Sequence, residues 1–258
     1  MNLDQITQPF LKEFPGDFSR NQQQRQTPKV LFATTEIAGY ENPELIIFNE
    51  KLSDEIGLGK IQNEQDLAFL NASTLPENIK TYATAYAGHQ FGNWAGQLGD
   101  GRAIFAGEIK NNQGKKTEIQ WKGGGATPYS RHADGRAVLR SSVREYLMSE
   151  ALFHLKIPTT RALSLSFTGE NVVRDMMYDG NAEYEKGAVI VRTAESFLRF
   201  GHFELISAQN EIETLRKLAD FTIENYFPKI DLESPEKYAD FFKEIANRTA
   251  KMIVEWCP

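Results

Sequence analysis

The residues that could do chemistry lie in a few short clusters. Gly99-Asp100-Gly101-Arg102 stands at the entry to a strand pattern. Glycines there let backbone N–H groups approach an anion, and Arg102 supplies a planar, permanently charged fork. Lys122 ends the second strand of the same expected hairpin, so its ammonium can reach that loop. Other schemes fail on spacing. The four histidines (His89, His132, His154, His202) are scattered with no HExxH, and no GxSxG or GxxxxGK[ST] occurs. The lone Cys257 rules out an internal disulfide and a cysteine-built zinc site.

A glycine loop joined to a strand and then a strand lysine is how kinase-like nucleotide sites are built. A glycine turn with a surface lysine is the plainer alternative. Glu145 follows Lys122 by 23 residues, in the first turn of an expected helix, where a carboxylate could orient the lysine. Ser142-Val143-Arg144-Glu145 is equally a capping box, with Ser142 as N-cap, and the sequence does not separate the two roles. Arg192 ends an apolar strand, and Arg199 sits between Leu198 and Phe200. A guanidinium in such surroundings needs an anion: a protein carboxylate (Glu195 or Glu204) or a ligand phosphate.

The elements that must position these residues follow from composition and pattern. The chain has 258 residues, 41% hydrophobic and 25% charged, enough for a core and outside the disordered class. It lacks the roughly 18 consecutive apolar residues of a membrane span, and its start does not read as a secretory signal. A cytoplasmic setting with no membrane partner is the expectation. The net charge of −6 argues against a nucleic-acid coat. Between Gly99 and Arg144, however, nine Lys/Arg face four Asp/Glu, a basic island suited to a compact anion such as phosphate. Ordinary surface charge is the alternative, and the aromatic-interleaved signatures of an RNA-binding module are missing.

The first forty residues are polar and read as an extended or irregular lead-in. Glu44 to Leu58 has apolar positions at helical spacing, and Gln65 to Leu70 reads as a short helix. A glycine-punctuated tract runs from Tyr86 to Ala103. Arg102–Lys110 and Lys116–Lys122 alternate around NNQG as a hairpin. The tract Lys122–Ala137 leads into a helix over Ser142–Lys156 with an apolar face of Val143, Tyr146, Leu147, Ala151, Leu152 and Leu155. Strands are expected at Arg161–Phe167, Val172–Met177 and Ala188–Thr193, then helices over Glu211–Asn225 and Pro235–Trp256. That order is α+β, unlike the alternation of a doubly wound sheet.

From about Glu44 onward the motifs YAGHQFGNWAGQLGDGRA, KGGGATPYSRHADGRAVLRSSVREYLMSEAL, IPTTRALSL and GAVIVR…SFLRFG resemble the selenoprotein O family of protein adenylyltransferases. The resemblance implies a protein-kinase-like N-lobe, a twisted antiparallel sheet with a key helix, over residues 44–205. It also implies an N-terminal arm over 1–43 and the first helices of a C-lobe over 206–258. Such a fold would bind ATP in a flipped orientation and transfer AMP to Ser, Thr or Tyr hydroxyls of partner proteins, with Mg2+. By the same resemblance Gly99, Gly101 and Arg102 form the nucleotide loop, and Lys122 contacts phosphate and pairs with Glu145. Asp134 and Gly135 add ATP contacts, and Arg192 and Arg199 hold the inverted triphosphate. The family's catalytic-base Asp and the Asn and Asp that hold Mg2+ would lie beyond Pro258, and its C-terminal redox cysteine or selenocysteine has no counterpart. The expectation is therefore a fragment with the ATP cradle, no metal ligands and little activity alone. A non-catalytic nucleotide-binding or scaffold module is the alternative.

Overall fold

The computed structural model describes residues 1–256, so Cys257 lies outside the described residues. In chain order the elements are a 3-10 turn (Leu3–Gln5), α1 (Pro9–Glu13), β1 (Gly16–Asp17), β2 (Phe32–Thr34), β3 (Glu44–Phe48), α2 (Glu50–Glu55), α3 (Glu64–Leu70), β4 (Tyr82–Thr84), β5 (Ala87–Gln90) and β6 (Asn93–Gln97). There follow β7 (Ala103–Lys110), β8 (Lys116–Lys122), β9 (Ala137–Val138), α4 (Leu139–His154), β10 (Arg161–Arg174), β11 (Glu183–Ala194), α5 (Phe200–Ala208), α6 (Ile212–Tyr226) and α7 (Lys237–Trp256). The fold is mixed α+β. Its main sheet runs β1-β2-β4-β7-β8-β11-β10-β3, antiparallel except for the β1–β2 pair, with β9 attached to β11. No described helix is long and apolar enough to cross a membrane.

The expected hairpin forms the centre of this sheet. Asn111 shapes its turn by accepting the N–H groups of Gln113 and Lys115. Both faces of the sheet are covered, but by different chemistry. Ile104, Ile119, Trp121, Val189 and Val191 face one core with Leu52, Leu58 and Phe69, where the Trp121 indole donates to the Phe69 carbonyl at 2.7 Å. Side chains alternate along a strand, so Glu118, Gln120 and Lys122 of β8 share the opposite face. On that face Phe32, Tyr82 and Phe105 pack against α1 (Phe10), the segment before α5 (Phe197), α5 (Ile206) and α6 (Leu218). Tyr146 of α4 covers Ala162, Leu165, Ala188 and Ile190.

Several elements differ from the sequence expectation. Glu44 to Leu58 is not one helix: β3 pairs with β10, and Asn49 then caps α2 by accepting the Leu52 N–H at 3.0 Å. The β-branched pair in ELIIF serves an edge strand, and Asn49 was the boundary signal. The lead-in is irregular through its Gln/Arg stretch, yet it is not a loose arm. Phe10 and Phe14 are buried, and β2 joins the sheet through β4. Aromatic burial outweighs the polar average there. The two expected strands Arg161–Phe167 and Val172–Met177 are one long strand, β10, bulged between Phe167 and Asn171. Helix α5, unmarked in the sequence reading, follows Arg199, whose backbone N–H is accepted by His202 Nδ1 at 2.9 Å.

Helix α4 is the largest correction. It starts at Leu139 with Val138 at the N-cap, so Ser142 caps nothing and the capping box does not form. The expected apolar face is only partly turned inward: Tyr146 is buried and Val143 packs beside it, whereas Leu147 and Leu155 are 56% and 70% exposed and Ser142 and Ser149 are buried in their place. Ion pairs set the roll. Glu150 takes both ends of the Arg161 guanidinium at 2.8 and 2.7 Å, and Glu145 takes Lys122.

Candidate functional site

Two glycine loops are locked together before any side chain is aimed. Gly99 has φ +138°, and a Cβ there would lie 2.5 Å from the Tyr129 ring; one on Gly101 would lie 2.8 Å from the Tyr129 carbonyl oxygen. These glycines therefore serve first to let residues 127–130 pack onto the 99–102 loop, a different reason from close approach of an anion. Thr127 Oγ1 donates to the Asp100 carbonyl at 2.7 Å, and Ser130 Oγ donates to that of Gly101. Gly135 (φ +71°) is equally constrained, since a Cβ would sit 2.2 Å from the Gly125 oxygen.

Between these loops and the sheet lies a cleft of about 860 Å³. Gly99, Gly101, Arg102, Lys122, Asp134, Gly135, Arg192 and Arg199 all line it; Glu145 stands behind Lys122, in a smaller hollow shared with Arg102. The cleft holds seven Lys/Arg side chains against two carboxylates, Asp100 and Asp134. Three of the seven, Arg131, Arg136 and Arg174, were not singled out from sequence. The first two belong to the basic island, but nothing local marked Arg174, which is brought in by the length of the β10–β11 hairpin.

Glu145 joins two cations. Its Oε2 meets Lys122 Nζ at 2.5 Å and its Oε1 lies 3.1 Å from Arg192 Nε. The second approach is ionic, without hydrogen-bond alignment, since Arg192 Nε has no hydrogen-bond partner. Burial lowers the pKa of Lys122, with Glu145 opposing and the charges of Arg192 and Arg102 assisting. Burial likewise lowers that of Arg192. Arg199 takes neither expected carboxylate: Glu195 pairs with Lys115 at 2.6 Å, and Glu204 lies nearest His89. Its guanidinium instead lies over the Tyr86 ring, 5.0 Å from the centroid. Arg102, Arg131 and Arg199 make no ion pair among the described residues.

Both cleft carboxylates are engaged. Asp100 is buried and accepts from Thr84 N and Oγ1; burial raises its pKa against those bonds and the Arg199 and Arg192 charges. Asp134 receives both ends of Arg174, at 2.7 and 2.9 Å. Among the described residues no group of three or more His, Cys, Asp or Glu could hold a metal ion. The lining of the cleft is strongly cationic. A roomier hollow of about 1010 Å³ near Arg161 lacks this character, because its cations Lys115 and Arg161 are already paired.

Comparison with known proteins places the chain in a family. A family model described as "Protein adenylyltransferase SelO" matches residues 18–258. Proteins named protein nucleotidyltransferase YdiU are similar along almost the whole chain. That of Cytophaga hutchinsonii is 48% identical over 256 residues, 99% of this chain and 49% of the relative. That of Flavobacterium johnsoniae is 48% identical over 253 residues (97% and 48%), and that of Methylobacillus flagellatus 47% over 250 (96% and 48%). The chain spans about half the length of the curated relatives it matches.

Proposed function

The chain belongs to the SelO family, and from that premise we propose that its cleft holds the triphosphate of ATP for transfer of AMP to Ser, Thr or Tyr hydroxyls of other proteins. The observation that carries this reading is the convergence of seven cations, three of them without an ion-pair partner among the described residues, on one cleft. A triphosphate is the compact polyanion that such a cluster can neutralise. The sheet with α4 and its Lys122–Glu145 pair would be the N-lobe of a protein-kinase-like fold.

Each residue then has a task. Arg102, Arg192 and Arg199 clamp the phosphates, Lys122 neutralises charge, and Glu145 orients Lys122 and Arg192 together. Asp134, held by Arg174, and Gly135 shape the loop beside the nucleotide. The acceptor oxygen forms a bond to the α-phosphorus, the α–β bridge breaks, and pyrophosphate leaves with the hydroxyl proton released to a base. Charge built up on the leaving pyrophosphate is what the cations stabilise. Magnesium does not fit the described residues: Asp134 is held by Arg174, Asp100 accepts from Thr84, and no group of three or more potential ligands forms.

One observation favours a second reading, a nucleotide-binding module without catalysis: among the described residues both cleft carboxylates already accept hydrogen bonds, Asp100 from Thr84 and Asp134 from Arg174. ATP labelled at the α or the γ phosphate, supplied with acceptor protein, separates the readings. Label arriving from the α position supports adenylyl transfer, and arrival from the γ position refutes it. ATP binding without transfer supports the second reading. Calorimetry on Lys122→Ala checks the site itself, with an expected loss of about 1.5–3 kcal/mol in ATP binding.

A further inference from the structure

Beyond the rest of the sheet, β10 and β11 continue as a two-stranded hairpin, tied at its base by Arg140 to Glu185 and by Asp134 to Arg174. Residues 171–174 pair with 183–186, whereas β3 pairs with β10 only up to Phe167 and β9 meets β11 only at Gly187 and Ala188. Both outer edges are thus without a strand partner among the described residues. The tip exposes Met176, Met177 and Tyr178, the last at 93%, and behind it Val173 and Tyr184 are cross-strand partners that are both exposed. Contiguous apolar exposure of this kind marks an interaction surface. The stretch 175–183 also carries Asp175, Asp179 and Glu183 with no cation, and none of the three forms an ion pair among the described residues. The tip is continuous with the cleft, because Arg174 and Tyr178 line both.

We propose that this hairpin tip docks the acceptor protein, selecting segments in which basic and apolar residues flank the hydroxyl; the proposal rests on the adenylyl-transfer reading of the cleft. An acceptor hydroxyl has to reach phosphate inside a strongly cationic cleft, whose field repels a basic segment. Carboxylates at the mouth offset that repulsion and fix the register of approach. The unbranched methionines adapt to varied apolar side chains, and the free edges allow an extended segment to add as a strand. An acidic segment gains nothing at the tip and competes with the nucleotide for the cleft.

Fluorescence anisotropy with two labelled peptides tests this. One carries Arg, Lys, Leu and Tyr around a single Ser; the other has Glu in place of each basic residue. The basic peptide is expected to bind about tenfold more tightly. Met176→Ser/Met177→Ser weakens it about tenfold, and Asp179→Lys/Glu183→Lys shifts the preference toward the acidic peptide. Met176→Ser/Met177→Ser changes no charge and replaces neither Arg174 nor Tyr178, so its ATP affinity by calorimetry stays at the wild-type value. Equal binding of the two peptides, or unchanged binding in either variant, overturns the proposal. So does absence of peptide binding with a fall in thermal stability of Met176→Ser/Met177→Ser, which marks the tip as an internal packing surface. Tip-dependent peptide binding without transfer of α-label counts against the reading of the cleft and not against the docking surface.

Discussion

Glu118→Gln should make the protein more stable at high pH and leave it unchanged at low pH. Glu118 lies on β8 on the same face as Lys122 and is buried. It accepts the Phe197 backbone N–H at 2.6 Å and faces the Tyr226 hydroxyl at 3.4 Å. Burial raises its pKa from 4.5 to about 8; Glu108, its cross-strand partner on β7, and Asp100 add to the rise, while the bonds from Phe197 and Tyr226 oppose it. Glu108 is itself raised by burial, with Lys116 at 3.9 Å opposing. Between pH 4.5 and about 8 the folded protein keeps a proton that the unfolded chain has released, so stability falls as pH rises through that window. At about 1.4 kcal/mol per pH unit the gap sets a ceiling of about 5 kcal/mol. Glutamine keeps an oxygen for Phe197 and does not titrate. Urea unfolding across the window should therefore show wild type and variant converging near pH 4.5 and separating by a few kcal/mol near pH 8. Parallel curves, or a less stable variant near pH 8, would refute the reasoning and show that the carboxylate is ionised in the fold. The consequence reaches the cleft, because Phe197 covers the Arg192 guanidinium and precedes Arg199 by two residues.

Glu145→Gln frees Lys122 and Arg192 from their shared carboxylate. ATP affinity should hold or tighten while α-label transfer falls at least about tenfold, and loss of ATP binding would remove the orienting role. Gln120, fully buried on β8 opposite Arg192, has no partner for either side-chain polar atom. Gln120→Leu should raise stability by about 1–3 kcal/mol in urea unfolding, and a decrease would mean that the amide is satisfied. Gly135→Ala, with its positive φ and the Gly125 oxygen 2.2 Å from the new Cβ, should cost about 2–4 kcal/mol; an unchanged melting midpoint would show that the loop yields freely.

Much of the local structure was legible. The β7–β8 hairpin needed only alternation and the NNQG turn, and α6 and α7 needed only helical periodicity. The failures have local causes too. The isoleucines of β3 sit at spacings that also suit a helix, and only Asn49, the cap of α2, divides strand from helix. In the lead-in a polar average concealed Phe10 and Phe14, whose burial is decided by distant β2 and β4. On α4 only Val143 and Tyr146 of the apolar face pack inward, while Leu147 and Leu155 face out, because Glu145 and Glu150 turn the helix toward Lys122, Arg192 and Arg161.

The amino-acid sequence by itself determined which groups are present: permanent guanidiniums, one strand lysine, glycines where only glycine tolerates the backbone, and a basic island in an acidic chain. The tertiary structure decided which of them meet. Strand order β7-β8-β11 sets Lys122 near Arg192 across 70 residues of chain, and the long hairpin returns Arg174 to Asp134 across 40. It also removed the capping role of Glu145, since a helix that begins at Leu139 leaves no N-terminus for that side chain to cap, and set the carboxylate against Lys122. Spacing along the chain encodes contacts within a turn of helix or a hairpin. Convergence of charges from six separate segments depends on how the sheet is assembled, and no local pattern carries that information.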